Sequence, residues 1–132
     1  MENATIAIER ESDVVVARQK GREIAASRGF STTDQTLIAT AISEIARNIL
    51  LYALRGEIEI SVLEDEQRTG ILIVATDRGP GILDTKLAMT DGYSTAGSLG
   101  LGLPGTQRIM DDFALDSAVG RGTTVTMRKW NR

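Results

Sequence analysis

The feature that most constrains the fold of this chain is an apolar stripe between residues 31 and 52. Seven apolar side chains recur there at helical spacing: Leu37, Ile38, Ala41, Ile42, Ile45, Ala46 and Ile49. On a helix these positions share one broad face, which must be buried against another layer of the protein. Ser31, Thr32 and Thr33 each offer an N-cap. We therefore predict a long helix from these residues to about Tyr52, with Gly56 as its stop.

Strand patterns occupy much of the rest of the chain. The segment Glu57–Leu63 alternates polar and apolar residues, as a strand with one solvent-facing side does. Gly70–Thr76 is more continuously apolar, and the charged segment Glu64–Arg68 between the two predicts a hairpin. The remaining strand predictions are Thr5–Ile8, Phe113–Val119 and Thr123–Arg128, the last two forming a second hairpin.

Two shorter helices are also predicted. Ser12 can cap a helix that runs to Ala26 and is ended by Gly29. Its inward-facing candidates are Val15, Ala17, Ile24 and Ala25. The other helix spans Leu101–Met110 and follows a segment, residues 78–99, that has no convincing period. A loop of this length inside a compact domain is usually functional or mobile.

Composition limits the classes of protein to consider. The chain has 132 residues, near the commonest size of one domain, and we interpret residues 1–132 as a single domain. The net charge of −3 disfavours binding to nucleic acid. The absence of cysteine and histidine excludes disulfides, thiolate or histidine zinc sites and histidine-based triads. Neither a signal peptide nor a bilayer-length apolar run is present, so we expect a soluble, cytoplasmic protein without a membrane partner.

The long helix carries the first candidate site. Glu44 and Asn48 are one turn apart, at the margin of the apolar stripe, and their Cβ atoms should lie about 6 Å apart. A carboxylate beside an amide oxygen suits a general base next to a Mg²⁺ ligand, because Mg²⁺ prefers oxygen donors. The alternative is an ordinary exposed helix face with a Glu and an Asn that have no function.

A second motif follows the strand that ends near residue 76. Asp77 enters a turn with Gly79 and Gly81. A carboxylate there can accept a hydrogen bond from the amino group of adenine, while the glycines let the backbone approach the base. The alternative is a turn that Asp initiates and Gly terminates.

Two more glycine-rich motifs complete the set. Gly97, Gly100 and Gly102 lead into the predicted third helix, where backbone N–H groups and the helix dipole favour phosphate oxygens. The alternative for this motif is a flexible loop before a capped helix. The last motif, Gly120-Arg-Gly-Thr123, is also compatible with a simple hairpin turn. Together the four motifs supply what ATP binding and Mg²⁺-assisted phosphoryl transfer require.

The ordered set resembles the GHKL family of ATPases and kinases. The matching boxes are Glu44-x-x-x-Asn48, Asp77-x-Gly79-x-Gly81, Gly97-x-x-Gly100-x-Gly102 and Gly120-x-Gly122-Thr123. The resemblance covers nearly the whole chain. The absence of histidine and the run from Ser43 to Asn48 narrow it to serine/threonine kinases of bacterial partner-switching modules, most like the RsbT-type switch kinases of the stressosome.

This resemblance implies a role for each matching residue. Glu44 would be the general base, and Asn48 would hold Mg²⁺. Asp77 would bind the adenine amino group, in a pocket that Gly79 and Gly81 shape and Thr123 supports. Gly97, Gly100 and Gly102 would place backbone donors on the ATP phosphates, below an ATP lid at about residues 82–99. The lid sequence does not provide a strong side-chain clamp for the γ-phosphate, since Lys86 is its one cation. Arg78, before the lid, is a further candidate for a phosphate contact.

The expected fold class is an α/β (α+β) two-layer sandwich, with a mixed, largely antiparallel sheet and helices on one face. The resemblance implies Mg-ATP-dependent phosphorylation of a serine or threonine on a STAS-domain antagonist or scaffold protein. It also implies that the released kinase activates a PP2C-type phosphatase. Two alternatives stay open: an anti-sigma factor kinase of the same fold that binds a sigma factor, and a non-catalytic nucleotide-sensing module.

Overall fold

The architecture is a helical layer on one five-stranded sheet. The computed structural model describes residues 3–79, 102–118 and 120–131. Their elements are β1 (Asn3–Ile8), α1 (Glu11–Ser27), α2 (Thr32–Tyr52), β2 (Gly56–Glu64), β3 (Thr69–Asp77), α3 (Gly102–Ile109), β4 (Asp112–Ala118) and β5 (Gly122–Asn131). The strand order is β1-β2-β3-β5-β4, and all four described pairings are antiparallel. The two-layer prediction is confirmed, and no parallel pairing occurs among these strands.

The sheet has one face against the helices and one face against solvent. Ile58 and Ile60 of β2 are fully buried, whereas Glu57 and Glu59, which alternate with them, are exposed. Alternation along a strand places these two pairs on opposite faces. The buried residues of β2 belong to one core cluster with those of the helices, so the helices cover this single face.

The long apolar stripe of α2 packs on the sheet as its period predicts. Ile38, Ile42, Ile45 and Ile49 are each no more than 3% exposed. Burying an isoleucine side chain contributes roughly 1.5–3 kcal/mol, so this one row is a large part of the core. Gly21 lets α1 approach closely, because a Cβ there would collide with the Ile42 side chain.

The start of α1 differs from the sequence prediction. Ser12 is not the cap; it lies inside the helix, and Arg10 is the N-cap residue. The Asp13 carboxylate accepts the backbone N–H groups of Glu9 and Arg10 at 2.9 and 3.1 Å, so an acidic side chain in the first turn satisfies the free donors. This register turns Val15 outward, 39% exposed, and buries Val14 instead. The inward prediction was therefore wrong for Val15 and right for Ala17, Ile24 and Ala25.

The ends of α2 contain one confirmed cap and one corrected stop. Ser31 is the N-cap, and its hydroxyl accepts the Asp34 N–H at 3.1 Å. The helix ends at Tyr52 as predicted, but Gly56 does not stop it. The chain turns at Leu54, whose φ is 69°, and Gly56 is already the first residue of β2.

The remaining elements lie close to their predicted bounds. The Asp65 carboxylate accepts the N–H groups of Gln67 and Arg68, each at 3.0 Å, and so closes the β2–β3 hairpin. Leu101 and Val119, at predicted element ends, and the whole predicted lid at about residues 82–99 lie outside the described residues. None of the described helices combines the length and apolar content that a bilayer crossing needs.

Candidate functional site

Glu44 is a buried carboxylate on α2. It is 5% exposed, beside the equally buried Ser43, whose hydroxyl donates to the Ala39 carbonyl at 2.9 Å. Arg47, one turn later, donates from Nη1 to Glu44 Oε1 at 3.4 Å. An exposed helix face, the alternative reading of this motif, does not describe Glu44. A carboxylate shielded from water and paired with a cation fits a general base better than a surface residue.

Asn48 follows Glu44 by four residues and is half-buried. Its side-chain amide makes no hydrogen bond within residues 3–79, 102–118 and 120–131, so its oxygen is available to a ligand there. The described residues contain no cluster of three or more acidic side chains that would hold a metal alone. A lone amide oxygen fits Mg²⁺ bound together with phosphate oxygens and water, which is how Mg²⁺ usually binds in nucleotide sites.

Asp77 ends β3 on the face that the helices cover. It lies two residues beyond buried Ala75 and four beyond Ile73, so the three share one side of the strand. Its Oδ1 accepts the Gly79 N–H at 2.9 Å, which is the turn that the sequence offered as the alternative. Its Oδ2 has no hydrogen-bond partner among the described residues. One carboxylate can therefore hold the turn and still offer an acceptor to adenine.

Three glycines allow the backbone to close around Asp77. A Cβ on Gly79 would lie 2.5 Å from Ala53 Cβ, at the end of α2. A Cβ on Gly122 would collide with the Asp77 carbonyl oxygen, and this glycine has φ 82°. A Cβ on Gly56 would lie 2.5 Å from the Thr76 carbonyl oxygen. The sequence analysis did not predict this close approach at Gly56. The sequence feature that could have indicated it is a glycine at the start of a strand.

The same glycine shows that α2 and β3 meet at the site. The Gly56 Cβ position lies 3.0 Å from Ile49 Cγ2 and 3.1 Å from Asp77 Cβ. Ile49 directly follows Asn48, so the last turns of α2 lie against the end of β3. The structure thus brings the Glu44–Asn48 turn and Asp77, which are far apart in sequence, to neighbouring elements.

Thr123 lies opposite Asp77 on β5. Their Cα atoms are register partners across the β3–β5 pair. The Thr123 hydroxyl shares a 2.8 Å hydrogen bond with the Ser117 hydroxyl, and Ser117 also donates to the Gly122 carbonyl at 3.1 Å. Ser117 was not predicted; it orients Thr123 from the neighbouring edge strand.

Of the glycines predicted to contact the phosphates, the structure describes only Gly102. Gly102 is the first residue of α3, and α3 packs against α2. Gly81, Gly97 and Gly100 lie outside the described residues. At the other end of α3, the buried Lys129 ammonium donates to the Ile109 carbonyl at 2.9 Å and ties the helix to β5. The signal for Lys129 was its position, since it continues the inward alternation of Val125 and Met127.

Comparison with known proteins agrees with this geometry. The profile of the family "Histidine kinase-like ATPase domain" matches residues 8–129. Serine/threonine-protein kinase RsbT of Bacillus subtilis is 50% identical over 131 residues, which cover 99% of this chain and 98% of the relative. An anti-sigma F factor of Caldanaerobacter subterraneus is 32% identical over 100 residues, covering 70% of this chain and 68% of the relative.

Solved structures with little sequence identity support the fold alone. A Mycobacterium tuberculosis structure of RsbU and RsbW domains has a TM-score of 0.65 at 19% identity; the match covers 98% of this chain and 32% of the other. The mycobacterial sensor histidine kinase MprB has a TM-score of 0.58 at 15% identity, with 99% of both chains covered. The chain therefore belongs to the histidine kinase-like ATPase domain family and, within it, to the serine/threonine-protein kinases of the RsbT type.

Proposed function

We propose that this protein uses Mg-ATP to phosphorylate a serine or threonine hydroxyl of a partner protein. The observation that carries the proposal is that Ile49, which follows Asn48 on α2, and Asp77, the last residue of β3, both lie beside Gly56. Asp77, which would bind adenine, and Glu44, the proposed general base, then lie on two neighbouring elements, β3 and α2. The RsbT-type relative supports a kinase reaction at such a site.

The β3 end would bind the base of the nucleotide. Asp77 Oδ2 would accept a hydrogen bond from the adenine amino group, while Oδ1 keeps its bond to Gly79 N–H. Gly56, Gly79 and Gly122 hold the surrounding backbone close, so the carboxylate is fixed before the nucleotide arrives. Thr123, oriented by Ser117, would line the same pocket from β5. Gly81 would shape this pocket too.

The α2 and α3 ends would bind the phosphates. Asn48 would hold Mg²⁺, which when bound neutralises charge on the phosphate oxygens. Gly102 opens α3, and the free N–H groups of a helix start favour anions. Gly97 and Gly100 would extend this set of donors from the lid.

Glu44 would take the proton of the attacking hydroxyl. Glu44 is buried and lies beside the Arg47 guanidinium, so little water can reach its carboxylate. As the hydroxyl oxygen attacks the γ-phosphorus, the bond from that phosphorus to ADP breaks and the hydroxyl proton passes to Glu44. ADP and a phosphorylated side chain are the products.

The proposed protein substrates are STAS-domain antagonist or scaffold proteins of a stressosome. The kinase released from them would activate a PP2C-type phosphatase. A second candidate is an anti-sigma factor kinase that binds a sigma factor, which the anti-sigma F factor relatives favour at 28–32% identity. Capture of partners from the native cell separates the two, because STAS proteins are recovered in one case and a sigma factor in the other.

The decisive experiment measures phosphate transfer from ATP to a captured STAS protein. We expect Glu44→Gln to lower the rate by about 10²–10⁴ while ATP binding by calorimetry is kept. Asn48→Ala should weaken Mg-ATP binding as well. Unchanged turnover in Glu44→Gln would refute the assignment of the base, and a wild type that binds ATP without transferring phosphate would indicate a nucleotide-sensing module.

A further inference from the structure

Arg47 connects the buried Glu44 to the protein surface. Its Nη1 lies 3.4 Å from Glu44 Oε1, and its Nε lies 3.8 Å from Glu11 Oε1 on α1. The exposed fractions of the three side chains are 6% for Glu44, 41% for Arg47 and 74% for Glu11. A half-exposed guanidinium is therefore in contact with the proposed base and within reach of a bound substrate.

The two contacts of Arg47 do not use its full hydrogen-bonding capacity. The pair with Glu11 is exposed and contributes little to folding, whereas the pair with Glu44 partly compensates a buried charge. Both contacts are long for charge-assisted hydrogen bonds, which are shorter than 3 Å. The two contacts use Nη1 and Nε, and Nη2 forms no hydrogen bond or ion pair among the described residues. Since a guanidinium carries five N–H donors in a planar fork, most of its hydrogen-bonding capacity is unused.

The reaction at Glu44 determines where the transferred group must lie. A base within hydrogen-bond reach of the attacking hydroxyl is about 2.6–3.2 Å from its oxygen. That oxygen in turn lies about 3–3.5 Å from the phosphorus. The γ-phosphorus is therefore within about 7 Å of the Glu44 carboxylate. The Arg47 guanidinium, with Nη1 3.4 Å from Glu44 Oε1, lies within the same distance of that carboxylate.

We propose that Arg47 is a catalytic residue that binds the transferred phosphoryl group. This proposal rests on the proposed function. When Mg-ATP and the hydroxyl substrate are bound, the guanidinium leaves Glu44 and donates to the γ-phosphoryl oxygens. Glu44 then accepts the hydroxyl proton, while the bond between the γ-phosphorus and the ADP oxygen breaks and the bond to the hydroxyl oxygen forms. Arg47 would add a second side-chain cation to Lys86, the one cation of the lid sequence.

Three variants test this proposal with the full-length protein and its captured substrate. Arg47→Gln removes the charge, Arg47→Lys keeps the charge but loses the planar fork, and Glu11→Gln removes only the surface contact of Arg47. The measurements are kcat and KM for phosphate transfer, the calorimetric Kd for ADP, and the unfolding midpoint. ADP serves as the reference ligand because it lacks the γ-phosphoryl group.

We expect Arg47→Gln to lower kcat on the order of 10²–10³-fold, with the Kd for ADP changed less than about twofold. Arg47→Lys should restore part of the rate, about tenfold below wild type, because a lysine cannot donate a bidentate fork. Glu11→Gln should keep kcat within about twofold of wild type, since its contact is a weak surface pair.

Two results would overturn the proposal. The first is a kcat for Arg47→Gln within about threefold of wild type, or a kcat for Arg47→Lys equal to wild type. Replacing an arginine that acts on the phosphoryl group should lower kcat far more than this. The second is a parallel loss of kcat and ADP affinity, which would indicate a structural role. The wild type is measured first, before any Arg47 variant. If it neither binds ATP nor transfers phosphate, the proposed function itself fails.

Discussion

The two ends of the β3–β5 strand pair carry opposite charges on the same face, yet they are built differently. Asp77 lies opposite Thr123 at one end, and Lys129 lies opposite Ile71 toward the other. Two apolar pairs separate them: Ala75 with Val125, and Ile73 with Met127. All of these side chains face the helical layer, so position on the strand, and not the face, distinguishes the two charged groups.

The difference lies in how far the fold satisfies each charge. The Lys129 ammonium donates to the Ile109 carbonyl at the C-terminal end of α3, where a cation also meets the negative end of the helix dipole. The Asp77 carboxylate uses Oδ1 for the Gly79 N–H, and Oδ2 has no partner among the described residues. The lysine is therefore committed to holding α3, whereas the aspartate keeps an acceptor for a ligand. A charge that the fold leaves half satisfied distinguishes the Asp77 end, the proposed binding end, from the Lys129 end.

The two ends also use glycine differently. Near Lys129, a Cβ on Gly70 would lie 2.6 Å from a ring carbon of Trp130, so glycine makes room for a side chain. Near Asp77, Gly122 makes room for the backbone itself, because the Asp77 carbonyl oxygen occupies the place of a Cβ. Backbone cannot rotate away as a side chain can, so the close approach at Gly122 leaves less room to adjust than the one at Gly70.

The largest expected effect follows from that backbone contact. Gly122→Ala should destabilise the protein by roughly 1–2 kcal/mol for its positive φ and about 1–3 kcal/mol more for the collision with Asp77. Gly120→Ala is the matched control, since Gly120 has φ 83° but nothing within 4 Å of its Cβ position. Denaturant unfolding compares the two, and equal losses would mean that the close approach at Asp77 contributes nothing.

The second prediction concerns nucleotide affinity. In Asp77→Asn, the amide oxygen can still accept the Gly79 N–H, which leaves an NH₂ group opposed to the adenine amino group. Two opposed donors should cost about 1–3 kcal/mol of binding free energy, equally for ADP and ATP, with little change in the unfolding midpoint. Calorimetry checks this. Wild-type affinity in the variant would mean that Asp77 serves only the turn.

Lys129→Met should show the reverse pattern. It removes the donor to the Ile109 carbonyl and the favourable charge at the helix end, so unfolding free energy should fall by about 1–2 kcal/mol. ADP affinity, measured by the same calorimetry, should stay close to wild type. If ADP affinity fell as much as in Asp77→Asn, the proposed separation between a structural and a binding end would be wrong.

The smallest effect is expected beyond the Lys129 end, in the β2–β3 turn. Hydrogen bonds lower the pKa of Asp65 below its ordinary 3.8, first from the Gln67 N–H and then from the Arg68 side chain, which also lies 3.6 Å from the centroid of the Trp130 ring. A lowered pKa stabilises the folded state above pH 3.8 and loses that contribution as pH falls through the folded value. The unfolding midpoint of Asp65→Asn should therefore fall less steeply with acid than that of wild type. Parallel acid profiles would contradict this prediction.

Most of the fold could be predicted because its signals are local. The period of the Ile38–Ile49 stripe defined α2, and the alternation in residues 57–63 defined β2. The failures at Ser12 and Val15 have one cause: Asp13 caps the backbone from inside the first turn and so starts α1 earlier. A hydroxyl at position 12 and a carboxylate at position 13 favour different starts for the helix, and the sequence does not rank them.

The candidate site was predicted as separate motifs, and its assembly was not. Glu44, Asn48, Asp77, Gly79, Gly102 and Thr123 were named from spacing and resemblance, and their roles stay predictions. The burial of Glu44 and the support of Thr123 by Ser117 depend on residues that no spacing rule connects, whereas the contact of Glu44 with Arg47 is an i, i+3 pair on one helix. These features arise only when α2 packs on the sheet and β4 pairs with β5.

By itself, the sequence determined which segments are helices and strands, because amphipathic period and caps act within about twenty residues. It also determined the order of the motifs that identify the family. Only the tertiary structure decided what each charge does. Asp77 and Lys129 are alike in sequence, each a charged residue on an apolar face of a strand. Their different fates depend on whether a distant group, the Ile109 carbonyl, arrives to satisfy the charge, and long-range packing alone determines that.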